Sequence, residues 1–226
     1  MKNLLEKSDI YYKHSDIYET FAQAEDKPGL ITDAVIPLIK GKDIADVGCG
    51  TGKYAALFAP HAKSVFAFDA AAAQLQTARN KTRGFSNVTT ATGDAAEIAF
   101  PHRFDVIFSS WMLSTVTDAG KREKILSRLC RQLTPGGRII LVENAPDSEF
   151  EELRGRINDP LRRTETYNQW LLDNGFREDR TLDTFFEFEN LDAARFIFDR
   201  IWGAQAAQQL KHQVVRHAVT LFILDF

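Results

Sequence analysis

Only two cysteines occur in the 226 residues, Cys49 and Cys130, too few for a disulfide scaffold or a cysteine-based metal cluster. No His-Glu-x-x-His run is present either, so no metal site is expected. No stretch of about twenty apolar residues exists, which speaks against a membrane-spanning helix. The opening segment, Met1 to Lys7, lacks the apolar centre of a signal peptide. Basic tracts are missing as well. Lys and Arg number 28 against 31 Asp and Glu, for a net charge of −3, so the electrostatic footprint of a nucleic-acid binder is absent. These absences lead us to expect a soluble, cytoplasmic chain with no nucleic-acid or membrane partner. A hydrophobic content of 44% suffices for one sizeable core with appendages.

What the chain does have is a glycine turn. Residues 46–52 read Asp-Val-Gly-Cys-Gly-Thr-Gly after the apolar pair Ile44-Ala45, and a helical pattern from Tyr54 to Phe58 follows. Glycines at a strand-to-helix turn let the backbone approach a ligand and aim helix-start N–H donors at its polar end. A dinucleotide fingerprint would place glycine at 48, 50 and 53. Position 53 is Lys, and the third glycine is Gly52. With Asp46 ahead of it, the turn resembles motif I of the class I S-adenosylmethionine (SAM) dependent methyltransferases, Asp/Glu-x-Gly-x-Gly-x-Gly.

Four further marks follow in order. Val65 to Phe68 ends in Asp69, and an acid at the tip of a second strand accepts hydrogen bonds from a ribose diol in nucleotide-type folds. Val88 to Thr92 runs into Gly93-Asp94-Ala95. The resemblance implies that Asp94 takes the adenine amine and that the Ala95 backbone faces the ring. Phe104 to Ser110 reads as a fourth strand with Trp111 beyond it, and Leu133-Thr134-Pro135-Gly136-Gly137 is a turn opening a fifth strand at 138–142. The strands expected at 44–47, 65–68, 88–92, 105–109 and 138–142 alternate with helical patterns at 70–79 and 121–132. This alternation argues an α/β, doubly wound, mostly parallel sheet, with ligands beyond the carboxyl ends of its strands. The resemblance adds a seven-stranded, Rossmann-like methyltransferase sheet with an antiparallel last strand. Its implied cofactor is SAM, held by Asp46, Gly48, Gly50, Gly52, Asp69, Ala70, Asp94, Ala95 and Ser109.

Two regions flank this core. Residues 1–40 form an N-terminal helical segment with Tyr11, Tyr12, His14 and Tyr18. Its aromatics either cover the cofactor as a lid or pack on the sheet, since amphipathic rings suit both roles. Residues 41–226 are the SAM-binding domain. In it, Leu182, Phe186 and Phe188 alternate with acids as a strand with one wet face. A helical insertion near 191–212 then precedes a final apolar strand from Val214 to Leu224. Trp111 on the fourth-strand rim is the candidate for the acceptor pocket.

The expected activity is SAM-dependent methyl transfer to a small-molecule acceptor by in-line displacement. Such chemistry needs approach geometry and a dry site more than a fixed catalytic triad. No general base is identified. Ser109-Ser110-Trp111-Met112 stands where amino-methylating nucleic-acid enzymes of this family carry Asp/Asn-Pro-Pro-Tyr/Phe, which disfavours a nucleobase acceptor. A SAM-binding module without turnover, or an NAD-type oxidoreductase on the same rim, remain the alternatives. Lys53 and Asp46 count against the second.

Overall fold

The computed structural model describes residues 12–155 and 164–226. Tyr11 lies outside the described residues. Helices α1 (Ser15–Ala24) and α2 (Leu30–Ile39) precede the sheet. Then come β1 (Asp43–Val47), α3 (Lys53–Phe58), β2 (Ser64–Asp69), α4 (Ala72–Thr82), β3 (Val88–Thr92), β4 (Phe104–Ser110), α5 (Ala119–Arg131) and β5 (Leu133–Asn144). The C-terminal part holds α6 (Glu149–Leu153), α7 (Thr164–Asp173), β6 (Arg177–Glu187), α8 (Leu191–Trp202), α9 (Ala204–Gln209) and β7 (Val214–Asp225).

The seven strands lie in the order β3-β2-β1-β4-β5-β7-β6. β1 pairs in parallel with both β2 and β4, so the chain reverses direction across the sheet at β1. Only β7 runs antiparallel, to β5 on one side and β6 on the other. The central strands carry unbroken apolar runs because helices cover both of their faces. On one face α5 and α7 set Leu126, Leu129 and Leu171 against Phe66, Phe104 and Ile107. On the other, α2 and α3 set Ile31, Val35 and Phe58 against Val65, Phe108 and Val142. A third cluster lies under α1, α6 and α8, where Phe21, Phe150, Phe186 and Phe198 meet Val215 of β7.

Three boundaries differ from expectation. β5 begins at Leu133 rather than 138, because the Pro-Gly-Gly turn is an irregularity inside the strand. Phe104 pairs with Leu133 and Val106 with Arg138, so the intervening residues bulge out of register. A side chain on Gly137 would meet the Thr134 carbonyl oxygen at 2.9 Å. β6 spans Arg177–Glu187, so it starts ahead of the alternating stretch and ends before Phe188, with its inward side at Leu182, Thr184 and Phe186. The insertion near 191–212 breaks into α8 and α9 at Gly203, whose φ of 94° suits glycine.

The link between α1 and α2 is pinned to the edge strand. The Asp26 N–H donates to the Phe185 carbonyl at 3.0 Å. Its carboxylate accepts from the N–H groups of Leu30 and Ile31 and from the Thr184 hydroxyl. Asp26 thereby satisfies two of the orphan donors at the start of α2 and fixes its neighbour Glu25 beside β7.

Candidate functional site

Beyond the carboxyl end of β1 the chain turns through Gly48, Gly50 and Gly52, with φ of 72°, 53° and 76°. Side chains rarely adopt this left-handed geometry, so the alternation of glycine with Cys49 and Thr51 is a backbone requirement. The turn folds over the tip of β2. Gly48 and Cys49 N–H both donate to the Phe68 carbonyl, and Gly52 N–H donates to the Cys49 carbonyl. The Gly50 N–H donates to Asp69 Oδ2 at 2.9 Å. These four amides are therefore engaged within the protein. The turn admits a ligand by lacking side chains, and these N–H groups are not aimed at it as the sequence suggested.

Against the turn lies a cavity of about 470 Å³. Gly48, Gly50, Asp69, Ala70, Asp94 and Ala95 line it from the strand ends, and Tyr12, Tyr18 and Trp111 line it from above. These nine expected residues converge on one space. Asp46, Gly52 and Ser109 do not line it. Asp46 is buried, and its Oδ2 has no hydrogen-bond partner. Burial, with Asp69 nearby, pushes its carboxyl up to about 7. A side chain on Gly52 would come within 2.7 Å of Ala78 Cβ, so this glycine admits α4 rather than a ligand. Ser109 is buried and donates to the Val47 carbonyl at 2.7 Å, which ties β4 to β1. Its neighbour Ser110 faces the cavity instead.

Two carboxylates mark the cavity floor. Asp69 accepts from Gly50 N–H on one oxygen and from Ala71 N–H, at 2.8 Å, on the other. A carboxylate offers about four acceptor sites, and with the Ala70 N–H also directed at it, part of that capacity stays open to a ligand. Burial raises the Asp69 carboxyl, opposed by these backbone donors. Asp94 accepts from Lys121 Nζ at 2.7 Å and from Ala96 N–H at 2.8 Å. The Lys121 hydrogen bond holds its carboxyl below the usual range. Lys121 and Met112 line the cavity too. Neither was given a binding role from the sequence, where Lys121 only opens a helical pattern and Met112 only closes the run after the fourth strand. The Cys49 thiol is pushed well up by burial, which fits a small packing residue and not a nucleophile. Among the described residues no group of His, Cys, Asp and Glu is placed to hold a metal ion.

Trp111 has φ of 53°, unusual for a bulky residue. Its indole Nε1 is buried without a hydrogen-bond partner. It forms a wall shared with a second, smaller cavity of about 80 Å³, which also holds Glu25, Asn144, Arg154 and His217. No motif or spacing in the sequence marks this polar group. Its members come from the end of α1, the end of β5, the end of α6 and the middle of an apolar strand.

Residues 44–137 match the family model of a methyltransferase domain. That stretch is similar to methyltransferase domains, in agreement with the resemblance of its glycine turn to motif I of the class I SAM-dependent family. SAM is the cofactor of this family, and the side-chain-free cradle at Gly48 and Gly50 with the open sites on Asp69 fits it. The demethylmenaquinone methyltransferase of Tropheryma whipplei (strain Twist) is 28% identical over 158 residues, 62% of this chain and 64% of that protein. The chain thus spans somewhat under two thirds of that relative's length. In fold it is similar to YcgJ of Bacillus subtilis, with TM-score 0.59 and 17% identity over 86% of this chain and 97% of that one. The N-methyltransferase NodS of Bradyrhizobium japonicum WM9, solved with S-adenosyl-L-homocysteine, has TM-score 0.53 and 14% identity over 94% of this chain and 85% of that one. Among the described residues no helix is long and apolar enough to cross a membrane.

Proposed function

We propose that the protein transfers the methyl group of SAM to a small-molecule acceptor by in-line displacement. The observation that carries this reading is the convergence of Gly48, Gly50, Asp69, Asp94 and Ala95 on one cavity whose outer wall is aromatic. SAM supplies a methyl group already activated on a sulfonium. Asp69 takes the ribose diol on its remaining acceptor capacity, and Asp94 with the Ala95 backbone takes the adenine. Gly48 and Gly50 let the polar end lie against bare backbone. Asp46 and Ser109 act beneath the site, by holding the turn and β4 in place.

Tyr12 and Tyr18, at the N-terminal edge of the cavity, act as its cover. A methyl group on Gly50 would lie 3.1 Å from Tyr18 Cε1, so α1 already rests on the glycine turn. Such closure excludes water and fixes the approach line, and both effects favour the displacement. The aromatic walls and a formal charge of only −3 suit a small acceptor better than a nucleic acid.

Calorimetry with SAM, S-adenosylhomocysteine and NAD tests the cofactor. Tight binding of the first two and none of NAD is expected, and the reverse order would overturn the reading. Incubating metabolite extracts with labelled SAM and following mass gain tests the transfer. Cofactor binding with no labelled product in any extract would favour a SAM-binding module.

A further inference from the structure

The helix α5 ties together two loops that line the larger cavity. Gly93, Asp94 and Ala95, beyond β3, form one part of its wall, and Met112 with Ser114 to Thr117, beyond β4, form another. Lys121 Nζ donates to Asp94 Oδ2 at 2.7 Å, and Arg128 Nη2 donates to the Ile98 carbonyl at 2.5 Å, so α5 grips the loop after β3. On the loop after β4, Arg122 donates from Nε at 3.0 Å and from Nη2 at 2.6 Å to a single acceptor, the Val116 carbonyl. Asp118 caps the helix by accepting from the Lys121 N–H at 2.6 Å, which fixes where these side chains start.

The face of the Arg122 guanidinium is engaged as well. Its central carbon lies 5.1 Å from the ring centroids of both Tyr167 and Trp170 on α7. Those two rings are stacked, with centroids 6.0 Å apart and planes 20° apart, so the planar cation spans a continuous aromatic surface. Tyr167 is itself anchored, because its hydroxyl donates to Glu143 Oε1 on β5 at 2.9 Å. A line of contacts therefore runs from β5 through Tyr167 and Arg122 to the Val116 carbonyl. Val116 packs half-buried against the core cluster beneath it. Two charge-assisted donors on one carbonyl fix the peptide plane that follows Val116, and with it the place of Val116 and Thr117 on the cavity wall.

We propose that Arg122 is a positioning residue for the cofactor: by holding the Val116 carbonyl against the Tyr167–Trp170 pair, it sets the wall that, with Asp94 and Ala95, bounds the slot for the adenine. The inference rests on the cofactor reading above. A flat ring system gains most from walls already in place, because a wall that must be ordered on binding subtracts that cost from the affinity. The role is one of geometry and not of charge alone. Lysine carries the same charge, but its compact ammonium cannot fork onto one carbonyl while lying flat on two rings. The effect falls on cofactor affinity and not on the displacement, since the ribose separates the adenine from the sulfonium that carries the methyl group.

Arg122→Lys and Trp170→Leu in the full chain test this, by calorimetry with S-adenosylhomocysteine, urea unfolding and amide hydrogen exchange. Arg122→Lys is expected to weaken S-adenosylhomocysteine by about two- to thirtyfold, the range over which residues acting through others tune binding. Exchange at residues 112–118 should quicken in the ligand-free variant, where no contact with a ligand can contribute. Trp170→Leu removes the larger ring and leaves Arg122 in place, so both quantities should move the same way by less. The two effects should fall short of additive in the double variant, because the side chains act as one unit. On an acceptor found by labelled-SAM screening, KM for SAM should rise in Arg122→Lys while kcat holds. A lower urea midpoint with unchanged affinity and unchanged exchange at 112–118 would overturn the proposal. Weaker affinity without quicker exchange would also overturn it, by showing that Arg122 acts on the cofactor directly. Failure of the wild-type chain to bind S-adenosylhomocysteine would instead overturn the cofactor reading, and the exchange result would still decide whether Arg122 orders the wall.

Discussion

The Asp69 carboxylate spans the Gly50 N–H at 2.9 Å and the Ala71 N–H at 2.8 Å, and so clamps the glycine turn to the start of the next segment. The residue that would hold the ribose thus also shapes the surface the ligand rests on. Charge-assisted hydrogen bonds contribute roughly 1.5–3 kcal/mol each. Asp69→Ala is therefore expected to weaken S-adenosylhomocysteine binding by about tenfold to several hundredfold by calorimetry, with water recovering part of the loss. It should also lower the urea midpoint, since the turn loses a tie. Unchanged affinity in the folded variant would show that Asp69 only braces the backbone.

Gly48→Ala separates the shape of the turn from its chemistry. The new methyl would fall 2.4 Å from Met112 Cγ and 2.6 Å from Met112 Cβ, at a φ of 72°. The left-handed conformation alone costs roughly 1–2 kcal/mol for a residue with a Cβ, and Met112 must move on the cavity wall. Lower stability together with weaker cofactor binding is expected. A variant with wild-type affinity would mean that Met112 swings aside freely and the wall is not built to fit.

Acidification should stabilise the protein from about pH 8 to about 6.5. Burial raises Asp46 and Glu25 to about 7 from ordinary values of 3.8 and 4.5. In this range the folded state binds more protons than the unfolded one, so stability falls as pH rises. For each acid the contribution is fully present below its unfolded value and is lost as pH climbs through about 7. His217 acts in the opposite sense. Burial holds its imidazole well below 6.5, so it removes stability only below that value. The lowered carboxyls of Asp43 and Asp94 add stability that is lost only in more acidic solution. Urea midpoints should therefore rise on going from pH 8 to 6.5, by up to about 1.4 kcal/mol per pH unit for each acid. Asp46→Asn should flatten this rise, and an unaltered slope would remove Asp46 as its source.

The sheet was readable because its signal is local and repeated. Val65 to Phe68 and Val106 to Phe108 are apolar without break since helices cover both faces, and alternation at Leu182 to Phe186 marks the half-wet edge strand. The ligand rim was readable for the same reason, because β1, β2 and β3 each end in a residue with a visible task. Glu25, Asn144, Arg154 and His217 were not. No spacing rule links the end of one helix to the middle of a strand almost two hundred residues later. Asp46 and Ser109 mislead in the other direction. Their positions at strand ends are those of ligand contacts, yet both side chains turn inward, and only three-dimensional packing shows this.

Lys53 stands where a dinucleotide fingerprint would have glycine, and its role is to anchor α1. Its Nζ donates to the Ala22 carbonyl at 3.0 Å and the Glu25 carbonyl at 2.6 Å, the last carbonyls of that helix. It also sits 3.6 Å from the Glu25 carboxylate. Together with the Lys81–Glu19 ion pair at 2.7 Å, it holds Tyr18 against Gly50. Lys53→Met keeps the length and the apolar stem of the side chain but removes all three contacts. Removing one partner of a buried pair typically costs about 3–5 kcal/mol, and Glu25 should bind its proton more tightly without the neighbouring cation. The urea midpoint should drop at pH 8 and drop less at pH 6, where Glu25 is protonated in either protein. Cofactor affinity should fall as well, because Tyr18 is no longer held over the turn. Loss of stability with full affinity would show that α1 is a structural brace whose position does not govern the site.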